Sequence, residues 1–239
     1  MITIQNLSKR YGNNTVLKDI SIQLEAGKIY GLVGANGCGK TTLMRCICGF
    51  SHPTTGYVVV NGCLIGNKAA LKRNPDLKKA ANPPYKTMAD FSPSTGVIIE
   101  SPGFLPNETG LRNLMLLADM SGKVDKAAAR KAMVTLGLGP DEKKPVGKYS
   151  LGQRQRLGFA QAFMENPDVL ILDEPFNGLD KHGVSQMHEL ILAQKKKGKT
   201  ILLSSHSQKD IDVLCDVVCE MDGGVMHCIR DRMEDTYAG

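Results

Sequence analysis

Residues 28–41 read "KIYGLVGANGCGKT". The apolar run has the length of one buried strand, and it ends in a glycine-rich turn. From Gly39 to about Cys48 the pattern becomes helical. The turn itself, "GANGCGKT" at 34–41, fits G-x-x-x-x-G-K-[ST] with no mismatch. A strand before it and a helix after it are the context that gives this motif its meaning. Glycines let backbone N–H groups wrap a β-phosphate, and the helix N-terminus adds partial positive charge. Lys40 then reaches the β- and γ-phosphates, and Thr41 ligates Mg²⁺. Gly34, Asn36, Gly37, Cys38, Gly39 and Thr42 belong to the same expected cradle.

The other half of such a site lies far downstream. "DVLILDE" (168–174) is an apolar run that ends in two carboxylates. Asp173 sits where it can hold Mg²⁺, usually through water. Glu174 can polarise an attacking water. Taken alone, an Asp-Glu pair at a strand end is more often solvated or capping. An upstream phosphate loop reverses that reading. "TILLSSH" (200–206) is a second apolar run with a polar end, and a helix over about 184–197 lies between the two. Apolar strands alternating with helices predict a parallel sheet covered on both faces.

The remaining elements follow from periodicity. Residues 2–7 and 15–24 predict antiparallel strands, and "GYVVVNG" (56–62) a strand closed by an Asn-Gly turn. "GVIIE" (96–100) predicts a buried strand. Leu111, Leu114, Met115 and Ala118 fall at i, i+3, i+4 and i+7 of one helix. A second helix over 125–138 starts at Asp125 and stops at glycine, and a third runs from about 150 to 165. Just inside it lies "YSLGQRQR" (149–156), polar and glycine-bearing.

Composition narrows the function classes. The chain has 239 residues, enough to bury about 70% of its unfolded surface without staples. No window approaches the roughly 20 apolar residues that span a bilayer, and the N-terminus lacks a signal-peptide core. Seven cysteines with no C-x-x-C pair read as reduced thiols, with a zinc site as the weaker alternative. The net charge of +6 is concentrated. Lys68, Lys72, Arg73, Lys78, Lys79 and Lys86 stand against one acid, Asp76. The rest is near neutral, so no nucleic-acid partner is expected. The basic stretch reads as a solvated loop or as a contact for anionic lipid.

In chain order stand Tyr11, "GANGCGKTT", a strand ending near residue 100, "YSLGQRQR", "LILDEP", "NGLD" and "SSH". This series resembles the ATP-binding subunit of an ABC transporter over essentially the whole chain. The resemblance implies a P-loop α/β fold: a mainly parallel core sheet, a small antiparallel β subdomain and a helical insertion. All of 1–239 then forms one nucleotide-binding domain, with 1–100 and 166–239 as β-lobe and core and 101–165 as the helical part. It implies ATP and Mg²⁺ as cofactors. Two copies pair head to tail, and Ser150, Gly152 and Gln153 of one close over the ATP of the other. Tyr11 resembles the aromatic that stacks on adenine. His206 resembles the switch histidine at the γ-phosphate, beside Lys40 and Glu174 as catalytic groups. Asp180 resembles the loop that communicates across the dimer.

Several positions depart from the family's commonest wording. Leu151 replaces a glycine of L-S-G-G-Q, Tyr149 replaces its leucine, and Lys181 stands where proline is common. Glu100 replaces the usual glutamine and is expected to touch Mg²⁺ or the attacking water. Its surroundings, "IIESPGFLPNETGLRNL", resemble a branch that includes bacitracin-resistance and lantibiotic-immunity exporters. The expectation is an ATPase at the cytoplasmic face of the membrane. It would be bound there to a separate polytopic permease and paired with an identical or paralogous nucleotide-binding subunit. Two rival readings are a soluble ATPase of this type acting on ribosomes or DNA, and a nucleotide-sensing regulatory module.

Overall fold

The structure is a computed structural model and describes residues 1–66, 87–100 and 103–231. The basic stretch expected to be a loop therefore lies almost wholly outside the described residues. The chain opens with a hairpin of β1 (Ile2–Tyr11) and β2 (Asn14–Leu24), closed tightly where Tyr11 pairs with Asn14. Next come β3 (Ile29–Val33) and α1 (Lys40–Cys48), joined by the glycine-rich loop. β4 (Thr55–Val60) turns at Asn61-Gly62 into the short β5 (Cys63–Ile65). Both turn residues have positive φ, 50° and 76°, the conformation that favours Asn-Gly in two-residue hairpins.

After β6 (Thr87–Ala89) and β7 (Thr95–Ile98), helices dominate: α2 (Gly110–Ser121), α3 (Lys126–Thr135) and α4 (Leu151–Met164). Then β8 (Val169–Leu172), α5 (Lys181–Lys196), β9 (Thr200–Ser204), α6 (Gln208–Leu214), β10 (Val217–Asp222) and β11 (Val225–Asp231) complete the described chain.

Two sheets result. One has the order β2-β1-β4-β5-β6 and is antiparallel except for the last pair. The other has the order β11-β10-β3-β9-β8-β7 and is parallel except at β11. This bears out the expected P-loop α/β class with its mainly parallel core. The central strands show why the sequence reads as continuously apolar there. In β8, Leu170 and Leu172 join the core that holds α2, α3, α4 and α5, while Val169 and Ile171 join the core under α1 and the first sheet. In β9, Ile201 and Leu203 face the first of these cores and Leu202 the second. Strand side chains alternate between faces, so a sheet covered on both needs an apolar residue at every position.

Some boundaries differ from the sequence reading. β7 ends at Ile98, not Glu100, because Glu100 adopts a positive φ of 57° that no strand sustains. α5 begins at Lys181, three residues earlier than expected, because Asp180 caps it. The hairpin β10–β11 and the short α6 were not expected. An available signal was Gly223-Gly224 between two apolar runs.

One contact fixes how the helical segment meets the core sheet. A Cβ added to Gly96 in β7 would stand 2.0 Å from the carbonyl oxygen of Ala162 in α4. That neighbour is backbone and cannot swing away. Gly96→Ala is expected to cost at least 3 kcal/mol, about the upper end for overpacked cores. Urea unfolding measures it, and a loss below about 1 kcal/mol would show that α4 shifts freely.

Candidate functional site

The phosphate loop is held from below by the terminal hairpin. Gly34 has φ 139°, and a Cβ there would lie 2.2 Å from the Met221 carbonyl oxygen in β10. Only glycine lets the loop leave β3 at this point. α1 then starts at Lys40 behind Gly39, without a side-chain cap. Its first amides therefore remain available to an anion at the helix end, where the helix dipole is positive. Lys40 is buried, and its Nζ donates to the Gly34 and Ala35 carbonyl oxygens at 2.7 and 3.1 Å. Its Nζ also lies 4.0 Å from the Cys38 sulfur.

Three elements converge on one carboxylate. Thr41 Oγ1, in the first turn of α1, donates to Asp173 Oδ2 at 2.6 Å. Ser204 Oγ, at the end of β9, donates to Asp173 Oδ1 at 2.6 Å. The same Ser204 oxygen accepts the Glu174 N–H at 2.9 Å. Asp173 is itself anchored by its N–H, which donates to the Ile98 carbonyl at 2.7 Å. This buried carboxylate thus has hydroxyl donors on both oxygens, which neutralise none of its charge. Next to it, Glu174 holds a positive φ of 46°. Its Oε1 is buried without a hydrogen-bond partner, although His206 Nε2 stands 3.3 Å away. The distance suits a charge contact, but the two groups are not aligned as a hydrogen bond.

A cavity of about 180 Å³ opens over these groups. It is lined by Asn36, Gly37, Gly39, Lys40, Thr41, Thr42, Asp173, Glu174, His206 and Val16. The sequence reading anticipated all of these except Val16. The donor set suits a divalent cation bearing phosphate: a hard hydroxyl oxygen, a hard carboxylate and uncapped amides on one side. Most of the seven thiols are sequestered: six are buried and Cys228 is exposed. Burial pushes the Cys46 thiol up to about 11.

Other expected residues lie outside this cavity. Tyr11 is half-exposed at the end of β1, with Lys9 Nζ 4.7 Å from its ring centre and its hydroxyl 3.1 Å from Ser51 Oγ. Glu100 is drawn away to α1, where Arg45 Nη2 meets its Oε1 at 2.7 Å. Ser150 and Gln153 form a capping box at the head of α4: the Ser150 oxygen accepts the Gln153 N–H, and the Gln153 Oε1 accepts the Ser150 N–H, each at 3.1 Å. Asp180 Oδ1 likewise accepts the Gly183 N–H at 2.7 Å. These side chains satisfy helix ends first. Tyr149 is buried, with its hydroxyl next to Gly110.

Sequence reading missed two groups. One is Ser204, whose signal was a serine ending a buried strand beside the strand of "LDE". The other is Gln155, which is buried in α4 and donates from Nε2 to the Pro175 carbonyl at 2.7 Å. Ser204→Ala would orphan the Glu174 N–H and remove one donor from Asp173. A cost of about 1–3 kcal/mol is expected, as for other buried groups left unpaired. Chemical denaturation of the two proteins measures it; equal midpoints and slopes would show that Ser204 is dispensable.

Comparisons with known proteins agree with this geometry. Residues 17–177 match the ABC transporter family. The chain is 39% identical over 228 residues to the bacitracin transport ATP-binding protein BcrA of Enterococcus faecalis, covering 95% of this chain and 66% of that protein. It is 34% identical over 218 residues to the lantibiotic transport ATP-binding protein SrtF of Streptococcus pyogenes, covering 91% and 85%. Among solved structures, an ATP-binding subunit of an ABC transporter superposes with a TM-score of 0.78 at 24% identity, over 100% of this chain and 93% of that one. A dimeric bacterial ABC transporter cassette gives 0.77 at 19%, over 96% and 99%. With the phosphate loop, the Asp173 cluster and the capped signature turn in one fold, the chain belongs to the ABC transporter family and is one of its ATP-binding, ATP-hydrolysing subunits.

Proposed function

We propose that this subunit hydrolyses Mg-ATP to drive export of an antimicrobial peptide or similar amphipathic compound through a separate membrane subunit. The observation that carries the catalytic part is the Thr41–Asp173–Ser204–Glu174 cluster at the mouth of the phosphate loop. The bacitracin and lantibiotic relatives supply the substrate class.

The chain's own residues divide the work. Lys40 exchanges the Gly34 and Ala35 carbonyls for phosphate oxygens. Thr41 and Asp173 would hold Mg²⁺, which when bound would offset negative charge on the phosphates. Glu174 accepts a proton from the attacking water through its unpartnered oxygen. His206 sits within reach of the same oxygen and contacts the γ-phosphate. Tyr11 supports the adenine. Glu100, in the same proposal, would have to release Arg45 before its carboxylate could serve a metal.

A second nucleotide-binding subunit completes each site. Ser150 offers its hydroxyl hydrogen to the partner's ATP while its oxygen keeps the helix cap. Gly152 adds a backbone N–H, Gln153 holds the turn in shape, and Asp180 faces the dimer interface. Residues 101–165 form the part that carries this surface.

The membrane subunit has a fitting place to dock. An apolar groove of about 510 Å³ is lined by Phe50, Ile99, Phe104, Leu105, Leu117 and Met120 among others. Met120 is 85% exposed and Phe50 56%. Large apolar side chains left in water mark an interaction surface. The groove adjoins β7, which pairs with the strand leading to Asp173, so docking there touches the catalytic frame. Among the described residues no helix is long and apolar enough to cross a membrane.

Glu174→Gln tests the catalytic assignment. The amide keeps the shape and removes the basic oxygen. ATP binding is expected to persist while turnover falls on the order of 100-fold or more. The variant should also run as a dimer in Mg-ATP on size-exclusion chromatography. A variant that hydrolyses ATP at near wild-type rate would remove Glu174 as the base.

A further inference from the structure

The exposed His206 is held in place by what flanks it. Its side chain is 54% exposed. The residues on either side are pinned from beneath. Ser205 Oγ donates to Asp210 Oδ2 at 3.0 Å and accepts the Ser207 N–H at 3.1 Å. Ser207 in turn receives the Asp210 N–H on its carbonyl oxygen at 3.0 Å and on its hydroxyl at 3.3 Å. Asp210 therefore closes a small ring of hydrogen bonds around the turn that carries His206. It is buried, with 6% of its surface exposed, and its other oxygen lies 3.0 Å from His188 Nε2 in α5. His188 is buried as well, and its ring meets Phe176 edge-on at 4.9 Å. Phe176 stands two residues beyond Glu174.

One buried carboxylate is thus shared between two paths. One runs by hydrogen bonds through Ser205 to His206; the other is only a close approach to His188, whose Nε2 makes no hydrogen bond, followed by its packing against Phe176. A charged group is costly to bury and is retained where it has partners. Ser205, Asp210 and His188 do not line the phosphate cavity, so none of them is catalytic in itself.

We infer that Asp210 is a positioning residue for hydrolysis, seating His206 against Glu174 through Ser205. The inference rests on Glu174 and His206 acting together in the proposed reaction. Placement matters there, because an error of about 1 Å at a reacting group can cost up to 100-fold in rate.

The test uses the purified full chain with Mg-ATP. Asp210→Ala and Ser205→Ala are each combined with His206→Ala, and kcat and KM are measured for all. Each single variant is expected to lose about tenfold in kcat with KM changed by less than about twofold, the pattern of misplacement rather than lost binding. In the His206→Ala background neither should lower kcat further. Ser205→Ala removes a single oxygen, and it keeps the test decisive if Asp210→Ala fails to fold. Wild-type kcat in the folded single variants, or an equal further loss on top of His206→Ala, would overturn the positioning role alone. A His206→Ala variant with wild-type kcat would overturn both this role and the catalytic reading beneath it.

Discussion

A buried carboxylate needs donors, and the site is arranged around providing them to Asp173. Left alone in the interior it would cost several kcal/mol. Its two donors come from far away in sequence: Thr41 is 132 residues distant and Ser204 is 31. Bringing them together requires α1 to start at the end of β3. It also requires β8 and β9 to run parallel, with Leu172 beside Leu203. A slip of one residue would turn Ser204 to the other face of the sheet. The fold and the site are therefore one constraint: the register that buries the core also completes the carboxylate's shell.

The signature helix is tied to that same frame from the opposite side. Gln155 holds the Pro175 carbonyl, one residue past the proposed base. Arg156 Nη1 bonds Gln186 Oε1 in α5 at 2.6 Å and the Leu136 carbonyl at 3.0 Å. Leu151, where the family commonly has glycine, covers Gly178: a Cβ on that glycine would lie 2.3 Å from Leu151 Cγ. The larger side chain at 151 is thus accommodated by an absent one at 178. A change at the signature reaches the segment between Glu174 and Asp180 through contacts within one chain. Such a contiguous set of packed and hydrogen-bonded groups can carry a change from the signature turn to the segment beside Asp173.

Much of the site was legible because its parts are local. The phosphate loop is eight consecutive residues whose backbone does the binding, so its spacing alone conveys its chemistry. Asp173 and Glu174 follow an unbroken apolar strand, and the polar end of such a strand is where ligands meet an α/β sheet. Ser150 and Gln153 have the spacing of a capping box, and the structure shows that box. Less legible were groups whose partner is distant. Glu100 reads as a metal-facing residue by its place in the series, yet Arg45 holds it. Gln155 reads as an ordinary polar helix residue until the Pro175 carbonyl stands opposite it.

By itself the sequence determined the class of fold, the order of its main elements as far as β9 and the location of the phosphate cradle. Each of these depends on periodicity or on residues close together in the chain, where short-range sterics and hydrogen bonding decide. Only the tertiary structure decided what surrounds Asp173, where Glu100 and Tyr11 rest, and that Asp210 lies beneath His206. Those outcomes depend on strand register and helix packing. They are set by the summed burial of two cores, and no window of the sequence contains that sum.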